Sequence, residues 1–567
     1  MIAATAELTT QKKKYQQARF SSTKTNELIA LTALLLMAAA LRIIGINYGQ
    51  PDMALFPTDA AQNLLPLEVP IHPDEVLYVS TPLELRAKHK ITPEIFENPL
   101  FFTNLNLLTG IATGVGADLV WEEIKTINGR QLAPFDLYVV ARWYSMLGGM
   151  LVVAATYGAG RVVSGRFAAL TAGLIAAVSL PLVQHAHYAT TSSMAAGFAA
   201  VSLWASLAYA KHRRGWLLVL AGAAAGLAGS NRYNAAAVAL IPFALAVIGV
   251  LRWKLDRRVG AAAWIAVPLL FLGGSPQILR DFGGFWNDFQ RIFSAYSVGD
   301  INAVQTTPYG MLFEYRYIVI VALGIPAALL TGIGAAVLAR RAGCNRLVIG
   351  LLALYVIPYS LVVLRTAIPA HADQLQLPVI PVFALLTGVG AAALAQIGAL
   401  RRVRAAIPVL LVLSPLLFTV PVVTRFAGTD TRLLMSAWIT ANVPEGARIH
   451  LDGSYNVPLD QGRYQVTQSY GGELPSLETL CAADYVVLSD AWYHDIARAG
   501  EIINAEYRAT AQTHLDLLDR TLIEIARIPR PALVGNDMLI HTASSWHDPG
   551  LIVYAVPDCA LASANGG

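Results

Sequence analysis

Leu28–Ile46 reads LIALTALLLMAAALRIIGI, a stretch with Arg42 as its one charge. A bilayer core is crossed by about 20 mostly apolar helical residues, so this stretch is read as a membrane span. Residues 1–27 before it are polar and carry Lys12, Lys13, Lys14, Arg19 and Lys24. The apolar run exceeds the roughly 7–15 residues of a cleaved signal peptide, which predicts a retained anchor behind a cytoplasmic tail.

Working outward, further apolar stretches fall at about 137–158, 167–184, 193–210, 216–229, 233–251, 260–275, 317–338, 347–364, 377–397 and 406–424. With the first, they predict about eleven transmembrane helices. Composition agrees: the chain is 567 residues long, 55% hydrophobic and 14% charged. A soluble domain carries about a quarter charged residues. A large soluble enzyme is thereby excluded.

Charge placement gives the orientation. Alternate short loops hold Arg161 and Arg166; Lys211, Arg213 and Arg214; Arg252, Lys254, Arg257 and Arg258; Arg340, Arg341 and Arg346; and Arg401, Arg402 and Arg404. Short cytoplasmic loops are the basic ones, so the N-terminus is expected inside and the C-terminus outside. Three outside segments are then long: about 47–136, 276–316 and 425–567. The expected organisation is an N-terminal tail over 1–27, a transmembrane domain over 28–424 and an extracytoplasmic domain over 425–567.

In the second outer loop Phe285, Trp286, Phe289, Ile292, Phe293 and Tyr296 share one helical face, which predicts an aromatic helix lying in the interface. The tail predicts a small α/β domain. Its strands are expected at Ala447–Leu451, Tyr464–Thr467, Tyr485–Leu488 and Leu551–Ala555, and its helices near 430–442, 491–507 and 510–526. Of three cysteines, Cys344 lies in a basic loop while Cys481 and Cys559 lie in the tail. A Cys481–Cys559 disulfide is compatible with an outside tail, although spacing alone does not establish proximity. The tail has no phosphate-cradling glycine loop and no metal-ligand spacing, and no nucleic-acid signature is visible.

The first outer loop carries His72-Pro73-Asp74-Glu75. Taken alone this suits a helix start: proline fits the first position, and acids favour the positive end of the dipole. Two adjacent carboxylates at a membrane surface are equally the groups a proton-transfer step uses. Other polar groups collect at the outer ends of spans: His185, His187 and Tyr188; Asn231, Arg232 and Tyr233; Arg280; and Arg365, His371, Asp373 and Gln374. Charges beside a bilayer usually face a cavity or a partner. Each has a plainer reading. Arg232 and Arg365 can snorkel to headgroups, Asp373 can pair with Arg365, and the His185/His187 pair suits structure better than metal.

Together these segments resemble the lipid-carrier-dependent glycosyltransferases of the GT-C fold, in particular bacterial relatives of the protein O-mannosyltransferases (glycosyltransferase family 39). The resemblance lies in His72-Pro73-Asp74-Glu75, Arg142-Trp143-Tyr144-Ser145, Gln184-His185-Ala186-His187-Tyr188, the glycine-rich run Gly222 to Asn234 ending Ser230-Asn231-Arg232-Tyr233-Asn234, and Leu377-Pro378-Val379-Ile380-Pro381. It implies an all-α polytopic domain and a multi-pass protein of the bacterial inner membrane. The implied activity moves a sugar from a polyprenyl-phosphate donor to a hydroxyl of a glycan, glycolipid or protein, with inversion.

The resemblance also implies roles. Asp74 is the expected general base, with Glu75 its partner or substitute. His72, His187, Arg232, Tyr233, Arg280, Arg365, His371 and Asp373 are expected around donor and acceptor. Two departures stand out. Thr190-Thr191-Ser192-Ser193 carries no acid where many relatives have a second acidic motif, which disfavours a divalent metal. His371-Ala372-Asp373-Gln374 replaces an expected Arg-Tyr element. Two other classes remain open: a transporter or flippase of lipid-linked sugars, and a non-enzymatic cell-envelope scaffold.

Overall fold

The structure is a computed structural model and describes residues 25, 27–49, 72–87, 89–96, 98–113, 126–127, 130–131, 135–298, 300–301, 304–305, 310–340, 344–364, 372–452, 457–469, 477–490, 497, 505–530 and 549–557. Most of these are helical. Six helices are long and apolar enough to cross a bilayer: Leu137–Val163, Thr191–His212, Tyr233–Arg252, Arg257–Gly274, Asn345–Val362 and the run beginning at Ala406. Met311–Ala322 and Ile325–Arg340 make a seventh if that pair, bent by 111°, is one span.

The expected count of about eleven transmembrane helices is therefore not confirmed among the described residues. The stretches read at 167–184, 216–229 and 377–397 contain helices of 13, 17 and 15 residues. A helix rises 1.5 Å per residue, so 13 residues cover about 20 Å of a core about 30 Å thick. The first of these breaks at Ser179, whose backbone is extended (φ −63°, ψ 118°), and a short helix, Leu180–Gln184, resumes with Pro181 in its first turn.

The break frees carbonyls at the end of helix Arg166–Val178, and side chains from distant helices take them. Arg42 Nη1 donates to Ala177 O (3.0 Å) and Nη2 to Ala176 O (3.3 Å), while Thr419 Oγ1 donates to Val178 O (2.7 Å). Arg42 is fully buried. It sits where the negative end of the helix dipole favours a cation. The one charge of the opening stretch thus fixes the break that leads into Gln184–Tyr188.

Small residues set the helix packing. A Cβ on Gly222 would run into the carbonyl of Ala263, and one on Gly226 into that of Val267. Two glycines four apart let helices Gly215–Asn231 and Arg257–Gly274 touch backbone to backbone, as small-xxx-small faces do in membranes. A Cβ on Gly148 would lie 2.7 Å from the backbone of Met194, which brings Phe135–Val163 equally close to Thr191–His212.

The aromatic helix expected in the second outer loop is Phe282–Val298. Phe285 is buried against Phe96 and Tyr233, while Phe282, Trp286 and Phe293 are exposed. In the tail, β1 (Arg448–Asp452), β2 (Gln465–Ser469), β3 (Tyr485–Ser489), β4 (Ile523–Ile528) and β5 (Leu551–Ala555) form one sheet in the order β2-β1-β3-β5-β4. β1 pairs in parallel with β2 and β3; β5 is antiparallel to β3 and β4. The four expected strands lie within a residue or two of their predicted places. The helix expected over 510–526 is corrected: helix Ala505–Thr521 ends there, and Ile523–Ile528 is an edge strand. Its Ile-Glu-Ile alternation has period two, not the helical period. Most of the 491–507 stretch lies outside the described residues. Cys481 is disulfide-bonded; Cys559 lies outside the described residues.

Candidate functional site

Helix Pro73–Ala87 begins with Pro73 and carries Asp74 and Glu75 in its first turn. His72 serves this start: its Nδ1 accepts from the Asp74 backbone N–H (3.2 Å), and its carbonyl accepts from Glu75 N–H. His72 Nδ1 also lies 4.0 Å from Asp74 Oδ2. His72 is buried and packs on Tyr188 (ring centroids 4.7 Å).

The two adjacent carboxylates have opposite environments. Glu75 is fully buried and Asp74 is about one-third exposed. Arg142 Nε donates to Glu75 Oε1 (2.8 Å) and Nη2 to Oε2 (3.0 Å), a bidentate pair. Ala189 N–H adds a third bond to Oε1 (2.8 Å). Burial opposes the Glu75 charge, but Arg142 and the bond from Ala189 outweigh it and hold the carboxyl below its ordinary pKa. Arg142 Nη1 donates onward to Ile46 O (3.1 Å) and Tyr48 O (2.8 Å). Glu75 and Arg142 thus join four segments: the first outer loop, the end of the first helix, helix Phe135–Val163 and the 188–190 turn. Asp74 meets no lysine or arginine among the described residues.

His187 is also fully buried. Its Nδ1 lies 2.9 Å from Val183 O and its Nε2 2.9 Å from Ile44 O, and its ring stacks on Phe426 at 4.2 Å. Both ring nitrogens therefore face backbone, and the side chain ties the broken span to the end of the first helix.

Arg232 stands where helix Gly215–Asn231 stops; its extended backbone (φ −147°, ψ 131°) separates that helix from the 3-10 turn Tyr233–Ala239. It is 9% exposed. Its Nη1 donates to Ser192 Oγ (2.6 Å) and Gln374 Oε1 (2.7 Å), both neutral acceptors. Among the described residues no carboxylate meets it. An isolated buried charge is costly, so such a cation calls for an anion. Ser192 lies three residues from Ala189, which bonds Glu75, so those two Cα atoms are at most about 11 Å apart. The 189–192 segment thus connects the acidic start to the cation.

Tyr233 turns away from Arg232: its hydroxyl donates to Phe96 O (3.2 Å) and its ring packs on Phe285 and Phe289. Arg280 ends the short helix Gln277–Arg280 and is exposed; among the described residues it bonds none of the other expected ones. Asp373 lies in the five-residue helix Ala372–Gln376, its side chain outside the described residues. Arg365 and His371 lie outside them altogether. Among the described residues, no three His, Cys, Asp or Glu side chains are gathered as a metal would need.

Sequence reading passed over Arg142 and Ser192 as individual residues. Arg142 carried a usable signal, an arginine inside an apolar span. Ser192 carried none.

Residues 134–275, about a quarter of the chain, match the family model described as dolichyl-phosphate-mannose-protein mannosyltransferase. No curated protein matches by sequence. Among solved structures, ArnT from Cupriavidus metallidurans bound to undecaprenyl phosphate is 14% identical, with a TM-score of 0.47 over 93% of this chain and 98% of that one. The Archaeoglobus fulgidus oligosaccharyltransferase in complex with zinc and sulfate is 12% identical, with a TM-score of 0.47 over 91% and 76%. The S. cerevisiae protein O-mannosyltransferase Pmt1-Pmt2 complex bound to the sugar donor is 16% identical, with a TM-score of 0.33 over 51% and 36%. The matched segment spans Arg142, Gln184–Tyr188, Ser192 and Arg232, and over it the chain is similar to the dolichyl-phosphate-mannose-protein mannosyltransferases, in line with the resemblance its motifs carry.

Proposed function

We propose that the protein is an integral-membrane, inverting glycosyltransferase that moves a sugar from a polyprenyl-phosphate carrier to an acceptor hydroxyl on the outer face of the membrane. One observation carries the reading. Among the described residues, a buried arginine held by neutral acceptors and a part-exposed carboxylate that meets no lysine or arginine are both tied to the 189–192 segment, the carboxylate through its neighbour Glu75. The match over 134–275 supports the same class of donor.

The acceptor oxygen attacks the anomeric carbon and its proton passes to Asp74. The bond from the anomeric carbon to the phosphate oxygen breaks, and the polyprenyl phosphate leaves with its electron pair. Arg232 receives the growing negative charge, joined by Arg365 or His371. Attack opposite the leaving group inverts the centre. General-base help of this kind is worth about 10²–10⁴-fold. Glu75 is already neutralised by Arg142 and holds Asp74 in place. The 1–27 tail is cytoplasmic, 28–424 is the catalytic domain, and 425–567 lies outside, in a bacterial inner membrane.

The experiment is transfer of label from polyprenyl-phosphate hexoses and pentoses by the purified full-length protein. Transfer that Asp74→Asn lowers about 100-fold or more supports the assignment. Full activity in that variant removes it. The bent pair Met311–Ala322/Ile325–Arg340 favours a second reading, a carrier for lipid-linked sugars, since transporters use broken helices. That reading predicts label crossing the bilayer still attached to its lipid.

A further inference from the structure

Phe96 lies in the stretch that links the two outer-loop helices, Pro73–Ala87 and Phe101–Thr113. Its side chain is buried. Both of its backbone groups are held by side chains from elsewhere. Asp288 Oδ2 accepts from Phe96 N–H at 2.8 Å, and Tyr233 O–H donates to Phe96 O at 3.2 Å. Asp288 belongs to the aromatic helix Phe282–Val298, and Tyr233 directly follows Arg232.

More bonds fix the same stretch on either side. Asn98 Nδ2 donates to Tyr78 Oη (2.7 Å), a residue one turn beyond the acidic start. Ser275 Oγ accepts from Leu100 N–H (2.8 Å), and Ser230 and Ser275 share a hydrogen bond at 3.0 Å. Asn104 Nδ2 donates to Gly274 O (2.9 Å). Phe96, Leu100, Ile278 and Phe285 form a buried apolar cluster that Tyr233 and Phe289 border. The outer face of helix Phe282–Val298 leaves Phe282, Trp286 and Phe293 exposed.

We propose that Asp288 and Tyr233 clamp the backbone of Phe96 from both sides and thereby set the spacing between the Asp74 helix and Arg232. The inference rests on the functional reading above, in which Asp74 and Arg232 act on the two ends of one reacting bond. Both clamp members are positioning residues and touch no reacting atom. A loop residue fixed at both its N–H and its C=O has little freedom to shift. The acidic helix is tied to it through Asn98 and Tyr78, and the cation is its covalent neighbour at Tyr233. A misplacement of about 1 Å at a reacting centre can cost about 100-fold in rate, so a device that holds two arms in register acts on turnover.

The test uses the full-length protein in phospholipid nanodiscs, with Asp288→Ala, Asp288→Asn, Tyr233→Phe and Asp288→Ala/Tyr233→Phe. Asp288→Ala and Tyr233→Phe should each lower kcat about 10-fold or more with KM within about threefold. Asp288→Asn keeps an accepting oxygen and should restore most of the rate. The double variant should be little worse than the worse single one, because both act on the backbone of one residue. Hydrogen exchange over residues 90–100 should rise in both single variants and not in Asp288→Asn. Single variants within twofold of wild-type kcat and with unchanged exchange would overturn the proposal. A fall in KM performance with kcat intact would also overturn it, since that assigns the residues to binding. If the wild-type protein transfers no sugar at all, the functional reading falls, and the exchange measurement decides the clamp by itself.

Discussion

Asp74 and Glu75 are neighbours in sequence with opposite surroundings. Glu75 accepts two bonds from Arg142 and one from Ala189 N–H in a fully buried site. Removing one partner of a buried pair strands the other charge and costs about 3–5 kcal/mol. Arg142→Ala and Glu75→Ala should therefore each lower the midpoint of thermal unfolding in detergent, while Asp74→Asn leaves it within a degree or two. A drop for Asp74→Asn equal to that for Glu75→Ala would contradict the division of roles. The pH dependence has a fixed sign. Glu75 titrates below its ordinary value in the folded chain, so its stabilisation is complete above the unfolded pKa and is lost as pH falls through the folded one. Wild-type stability should decline on acidification below about pH 4, the ordinary carboxylate range. A Glu75→Gln/Arg142→Met variant should show a shallower decline over the same range. At this scale the sequence made the acidic cluster legible, because Pro-Asp-Glu is a local signal. The partition between the two acids depends on Arg142, far away in the chain, and no local pattern carries that.

At the scale of the element, the helices were legible and their lengths were not. Apolar runs mark where helices lie, but Ser179 and Pro181 divide one run, and the carbonyls freed there are taken by Arg42 and Thr419. The run Gly222 to Asn234 shows a similar split between signal and meaning. It resembled a family element, and part of its physical content is packing: Gly222 and Gly226 admit the backbone of Arg257–Gly274. Gly226→Leu should thus impair folding or yield through that contact without touching Arg232, as the melting midpoint and detergent-extracted yield will report. A Gly226→Leu protein of wild-type stability would show that the two helices do not meet there. Phe282–Val298 was legible from its aromatic period alone, since one apolar face is a purely local property. What it packs against, Phe96 and Tyr233, was not.

For the whole molecule, charge placement and apolar runs were enough to predict a polytopic protein with a C-terminal α/β tail. The four strands with β-branched or aromatic runs were legible. The edge strand Ile523–Ile528 was not, because it follows helix Ala505–Thr521 after one residue, and Leu522, Ile525 and Ile528 keep a three-residue spacing that masks the short Ile-Glu-Ile alternation. The cation at Arg232 was legible as a residue. Its isolation from carboxylates among the described residues emerges only from the fold, which sets Ser192 and Gln374 around it. That isolation is the core of the account, and the most direct measurement is binding of sugar-free polyprenyl phosphate to the full-length protein in nanodiscs. We predict measurable affinity in the wild type, a loss of about 10-fold or more in Arg232→Ala, and a comparable loss in Gln374→Glu, which supplies the missing carboxylate. Equal affinity in all three proteins would contradict the claim that Arg232 is held open for the phosphate of a lipid carrier.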